Sequence, residues 1–164
     1  MITFEFLNKA NFQVLSSELF DILADNMTLI APTGNSRQED YKCWNEAISF
    51  GLQKNERQMV LIKDNDIIIG YFQYCINSNT LMMEEIQIKS EYQGKGLVRE
   101  LYGFMNSKIK ADYKFVEAYA NIRNNRSIGM LEKFGLATIG LNKNGNSYHF
   151  KGKKEDLKKW YEKS

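Results

Sequence analysis

Between an alternating segment that ends near Lys89 and an apolar repeat that begins at Leu97, the chain reads Gln93-Gly94-Lys95-Gly96. Before it, Ile86 and Ile88 are apolar while Glu85, Gln87 and Lys89 are polar, the period of a half-buried strand. After it, Leu97, Leu101, Met105 and Ile109 recur at helical spacing, with Val98, Tyr102 and Phe104 widening the stripe, as in a helix packed on a sheet. Two glycines at a strand-to-helix junction let main-chain N–H groups approach an anion, and the helix start adds the positive end of its dipole. The junction predicts a phosphate-bearing ligand.

Two common phosphate binders do not fit. A phosphate-loop NTPase needs G-x-x-x-x-G-K-[ST], whereas Lys95 is followed by glycine. A dinucleotide fold needs a third glycine where Arg99 stands, and no βαβ repeat surrounds the loop.

The run Gln93-Gly94-Lys95-Gly96-Leu97-Val98 resembles the [QR]-x-x-G-x-[GA] signature of the GNAT superfamily, the acetyl-CoA-dependent N-acyltransferases. Five of the six positions suit the pattern, and Val98 stands where Gly or Ala is usual. About thirty residues on, Asn124-Asn125-Arg126-Ser127-Ile128-Gly129-Met130-Leu131-Glu132-Lys133-Phe134-Gly135-Leu136 is similar to that family's N-x-x-[AS]-x-x-[LFM]-[YF]-x-[KR]-x-G-[FL]. Two blocks in the right order and spacing are far more specific than either alone, and with their flanking elements the likeness spans nearly the whole chain.

The resemblance implies that the chain binds acetyl-CoA as cosubstrate. Pyrophosphate would meet the loop Gln93, Gly94, Lys95, Gly96, Leu97, Val98 and Arg99, and the pantetheine arm would pair with the backbone of Ile86, Gln87 and Ile88 and with Asn124. One strand N–H would face the thioester oxygen. Many members carry a tyrosine that protonates the departing thiolate; Leu131 occupies that place, and Tyr119 and Tyr148 are the candidate substitutes. Losing a general acid costs about 10² to 10⁴ in rate, which slows such a reaction without forbidding it.

An attacking amine must first lose its proton, since an alkylammonium has a pKa near ~10.4. Glu84 and Glu85 are the acidic pair inside a predicted strand, and Met83-Glu84-Glu85-Ile86 looks like the L-E-D-x-x-V of some small-amine acetyltransferases. Strict alternation would send the two carboxylates to opposite faces, and Glu84 is the preferred base. His149, the only histidine, reads as structural, and Arg123 and Arg126 as surface arginines beside the Asn124 position.

The chain of 164 residues, with one proline and 43% hydrophobic residues, is long enough for one domain, 1–164, with a substantial core. Its 22 basic and 20 acidic side chains are scattered, which argues against a nucleic-acid partner. Cys43 and Cys75 lack metal-site spacing and read as buried thiols, so no metal is expected. The expectation is a cytoplasmic protein with no membrane span, a small-molecule or peptide amine as acceptor, and sheet edges compatible with a homodimer. The alternative is a catalytically weak or inactive acyl-CoA-binding sensor of the same fold.

Along the chain, Ile2 to Leu7 alternates as a strand, and Asn8 or Asn11 can cap a helix from Phe12 that ends near Asp25-Asn26. Ser36 and Glu39 have capping-box spacing for a second helix bearing Tyr41, Trp44, Ile48 and Leu52, and the resemblance implies that this helix pair walls the acceptor site. Arg57 to Lys63 and Ile67 to Ile76 flank a turn at Asp64-Asn65-Asp66. A strand from Asn79, a helix to about Lys110, a strand from Phe115 to Ala120, a helix from Ser127 to Phe134 and a closing hairpin around Asn144-Gly145 follow. Leu157, Trp160 and Tyr161 fit a terminal amphipathic helix. The order βααβββαβαββ predicts an α+β fold, a mixed, mostly antiparallel sheet flanked by helices on both faces, as in the acyl-CoA N-acyltransferases.

Overall fold

The computed structural model describes residues 1–109 and 112–163. In chain order the elements are β1 (Ile2–Phe6), α1 (Phe12–Met27), α2 (Arg37–Leu52), β2 (Arg57–Asp64), β3 (Ile67–Asn77), β4 (Thr80–Ile88), α3 (Leu97–Lys108), β5 (Phe115–Asn121), α4 (Asn125–Lys133), β6 (Ala137–Leu141), β7 (Ser147–Lys153) and α5 (Lys154–Glu162). Among the described residues this is a seven-stranded mixed sheet flanked by five helices, with strand order β1-β2-β3-β4-β5-β7-β6. The β4–β5 pair is parallel, whereas β1–β2, β5–β7 and β6–β7 are antiparallel.

The chain divides into two compact units: Met1–Tyr74 with Glu85–Gln93, and Cys75–Glu84 with Gly94–Ser164. The first is built on an apolar cluster of Phe12, Leu19 and Ile22 from α1, Ile48 and Leu52 from α2, and Met59, Leu61 and Tyr71 from β2 and β3. Trp44 packs against this cluster, its ring centroid 5.7 Å from that of Phe12, 5.6 Å from Phe20 and 6.3 Å from Tyr71. Each fully buried large apolar side chain contributes about 1.5–3 kcal/mol, so this cluster is what holds α1 and α2 in place. The second unit buries Leu101, Tyr102 and Met105 of α3, Val116, Ala118 and Ala120 of β5, Phe150 of β7 and Leu157 of α5. Tyr102, Phe134 and Trp160 meet there edge-on or tilted, with centroids 4.4–6.2 Å apart.

Local chemistry explains most boundaries. Ser36 and Glu39 form the expected capping box at the start of α2. The turn after β2 holds Asn65 and Asp66 at φ +47° and +73°, the left-handed pair that a two-residue hairpin requires. α4 stops at Gly135, whose φ of +89° lets its N–H reach Glu132 O (3.0 Å) while Leu136 N–H reaches Leu131 O (3.1 Å). The terminal helix forms as expected, with Leu157 buried.

Several local expectations are corrected. Asn8 caps a short 3₁₀ turn, Lys9–Asn11, by accepting from Ala10 N–H, and Asn11 makes no side-chain cap at α1. α3 ends at Lys108, because Ile109 is already extended, and Lys110 lies outside the described residues. Neither cysteine is a buried thiol: Cys43 is exposed on α2 and Cys75 is half-buried. The last hairpin keeps its expected Asn142–Asn146 connection, closed by Asn142, whose side chain accepts from the N–H groups of Asn146 and Ser147. No described helix is long and apolar enough to cross a membrane.

Candidate active site

The glycine junction belongs to the second unit from Gly94 onward. Gly94 and Gly96 have φ of +74° and +78°, a region that L side chains enter only at a cost, and a Cβ at either would meet nothing within 4 Å. Their conformation shapes the turn, and the space above it is open. Gly96 is the N-cap of α3 and has no side chain to cap with. The ladder begins where Glu100 N–H donates to Gly96 O at 3.3 Å, so the amides of Leu97, Val98 and Arg99 precede it. Three helix-start donors beside an open turn suit the oxygens of a diphosphate. The Arg99 guanidinium lies 5.0 Å from the Trp160 ring centre, which ties that side chain to α5 and leaves its amide as the group of interest.

Asn124 begins α4, accepting from Ser127 N–H at 3.1 Å through Oδ1. That bond fixes the amide plane and directs Nδ2 as the donor. β4 and β5 run parallel and are followed by α3 and α4, so both helix starts belong to the carboxyl end of that strand pair. Leu131 is 5% exposed and carries no titratable group.

In the first unit, Lys89 N–H donates to Ile69 O at 2.8 Å, and a Cβ on Gly70 would come within 2.6 Å of Gln87 O. The main-chain groups of Gln87 and Lys89 therefore face β3, and by alternation those of Ile86 and Ile88 face away from it. The Ile88 carbonyl is already held, accepting from Asn26 Nδ2 at 2.9 Å and Gln93 Nε2 at 2.8 Å. The Gln93 side chain is thus spent on closing its own turn. Of the predicted strand residues, Ile86 and Ile88 present main-chain groups outward and Gln87 does not.

β4 also breaks strict alternation. The two-residue turn at Ser78 and Asn79, both at positive φ, sets Asn77 opposite Thr80. Counting back from there would place Ile69 opposite Ile88, yet Ile69 bonds Lys89, so β4 holds one extra residue, a bulge. Glu84 and Glu85 fall inside the affected segment, and the opposite-face expectation does not follow from alternation alone. Tyr71 donates to Glu85, and burial first, then the Glu85 charge, holds that phenol well above its ordinary range. Glu84 follows the last β4–β5 rung, Met83 opposite Ala118. Met83 is buried, taking a hydrogen bond from Tyr102, and Glu84 beside it is half-buried.

Sequence reasoning missed the partners: Tyr71 for Glu85, Asn26 for the Ile88 carbonyl, and Glu117 for His149, whose Nε2 lies 2.7 Å from Glu117 Oε1. The signal for the last was present in the register of β5 with β7, which only the fold supplies.

Residues 17–136 match the model of the acetyltransferase (GNAT) family, and the chain belongs to that family. No curated protein matches the chain in sequence. Solved structures share its fold. An acetyltransferase from Thermus thermophilus aligns with TM-score 0.72 at 11% identity, covering 93% of this chain and 97% of that one. PaiA N-acetyltransferase from Thermoplasma acidophilum, in complex with coenzyme A, gives 0.66 at 16% identity over 93% and 99%. Spermidine N-acetyltransferase from Vibrio cholerae, in complex with CoA and spermine, gives 0.62 at 16% identity over 95% and 97%.

Proposed function

We propose that this chain moves an acetyl group from acetyl-CoA to a primary amine by direct attack in a ternary complex. The observation that carries the reading is the start of α3: two left-handed glycines, an open turn and three amides ahead of the helix ladder. In this reading those amides, of Leu97, Val98 and Arg99, hold the pyrophosphate, with Gln93, Gly94, Lys95 and Gly96 forming the turn beneath it. The outward main-chain groups of Ile86 and the N–H of Ile88 are offered to the pantetheine amides, and Asn124 Nδ2 is a further donor for the pantetheine. Glu84, the first residue of β4 beyond the last β4–β5 rung, takes the proton from the amine, and Glu85 stays with Tyr71. The spermine complex of the Vibrio cholerae relative supports a small amine as acceptor.

Calorimetry with acetyl-CoA, followed by thiol release over a panel of primary amines, tests this directly. Saturable binding and acceptor-dependent thiol release are expected; no heat at millimolar acetyl-CoA removes the proposal. Glu84→Gln is expected to lower kcat by about 10² to 10⁴ with acetyl-CoA binding unchanged, the range of a lost general base. The buried Leu131 favours a second reading, an acyl-CoA-binding sensor of the same fold. Binding without thiol release to any amine would select it.

A further inference from the structure

Val116, Ala118 and Ala120 bury one face of β5, and Glu117 and Tyr119 stand on the other. Across the β5–β7 ladder Tyr119 is opposite His149, their rings stacked with centroids 4.4 Å apart and planes 15° apart. His149 Nε2 lies 2.7 Å from Glu117 Oε1. A carboxylate only accepts, so Nε2 carries the hydrogen, and the imidazole is fixed at its edge by Glu117 and at its face by the phenol ring. Tyr119 nevertheless remains 48% exposed. A phenol whose ring is stacked on an imidazole that a carboxylate fixes, yet open to solvent, is placed to pass a proton rather than to fill a core.

Its position along the strand points the same way. The last rung of the parallel ladder is Met83 opposite Ala118, so Glu84 and Tyr119 are the first residues beyond it on their strands. Register-paired residues of parallel strands share a face, and Met83 and Ala118 are both buried, so Tyr119 turns to the opposite, open face of β5 just past the end of the rung. Tyr119 also precedes Asn124 by five residues, on the strand that leads into α4.

We propose that Tyr119 protonates the departing thiolate and that His149, oriented by Glu117, positions it. The proposal rests on the acetyl-transfer reading. As the amine nitrogen bonds to the thioester carbonyl, its proton passes to Glu84 and on to water. When the C–S bond breaks, its electron pair goes to sulfur, which takes the phenolic proton of Tyr119. The phenolate recovers a proton from water, to which it is open. Tyr119 then does what the hydrocarbon side chain of Leu131 cannot.

The test uses the full chain, thiol release with whichever amine of the panel the wild type turns over fastest, calorimetry, and NMR of chains carrying ¹³Cζ-labelled tyrosine. Tyr119→Phe is expected to lower kcat on the order of 10²-fold and to shrink the solvent deuterium isotope effect, with KM and Kd for acetyl-CoA within about twofold. The Tyr119 resonance, assigned by its loss in that variant, is expected to shift when CoA is added. His149→Ala should lower kcat about tenfold and His149→Phe, which keeps a ring against the phenol, should restore most of it. Wild-type kcat in Tyr119→Phe, or a Tyr119 resonance unmoved by bound CoA, would overturn the assignment while leaving acetyl transfer intact. Wild-type protein that binds no acetyl-CoA removes both, and that is seen before any variant is made.

Discussion

The starts of α2 and α3 solve the same problem in opposite ways. At α2 the chain satisfies its own donors: Ser36 Oγ accepts from Glu39 N–H at 3.2 Å, and Glu39 Oε1 accepts from Ser36 N–H at 3.4 Å. Glu39 and Asp40 add negative charge to the first turn, against the positive end of the dipole. At α3 the capping residue is Gly96, which has no side chain, and Glu100 is the acid of the first turn. A helix start that caps itself is finished as structure. One that leaves its first amides to the surroundings is suited to an anion brought from outside.

Gly96→Val should break the contrast most strongly. At φ of +78° a β-branched residue is disfavoured, and a turn that relaxes away from this geometry no longer aims the three amides together. Charge-assisted hydrogen bonds are worth about 1.5–3 kcal/mol each, so losing two raises the Kd for acetyl-CoA by roughly 10²-fold or more. Calorimetry measures this, and unchanged affinity would mean that the bare helix start holds nothing.

The cap variants sharpen the comparison at a smaller scale. Ser36→Ala should cost about 1 kcal/mol of stability in urea unfolding and leave the Kd for acetyl-CoA unchanged. Asn124→Ala removes both a cap on α4 and the Nδ2 donor, so it should cost a similar stability and also weaken acetyl-CoA binding about tenfold. Equal effects of the two variants on affinity would show that Asn124 is only a cap.

The same division runs through what the sequence made legible. Elements that follow local rules could be read directly: the Ser36–Glu39 box, the turn at Asn65-Asp66, the glycines of the α3 junction and the stop at Gly135 all depend on a few neighbouring residues. The order of strands and helices followed from them. β4 was legible only in part, because its bulge shifts the register between Thr80 and Lys89, and a register is a relation to β3 that periodicity within β4 does not contain. The partners of Glu85 and His149 were hidden for the same reason: Tyr71 and Glu117 lie 14 and 32 residues away and meet them only across strands.

Asp64 gives the smallest expected effect, and it acts upstream of the α3 start. Its carboxylate accepts from Tyr92 Oη at 2.7 Å and from the N-terminal ammonium at 3.0 Å, anchoring the short 3₁₀ turn Ser90–Tyr92 from which the chain enters the glycine junction. The Tyr92 bond first, then the ammonium, lowers the Asp64 pKa below its ordinary value. A carboxyl whose folded pKa is depressed contributes stability above its unfolded pKa of about 3.9, and that contribution is lost as pH falls through the lower folded value. Melting of wild type and Asp64→Asn should therefore differ by a constant small amount above about pH 4 and converge below it. Affinity for acetyl-CoA at neutral pH should stay within about twofold, since the amides that begin α3 depend on Gly94 and Gly96 for their direction and not on this anchor. A large loss of affinity in Asp64→Asn would instead mean that the bare helix start is held in shape from outside, and the contrast with the self-sufficient start of α2 would then be one of support as well as of capping.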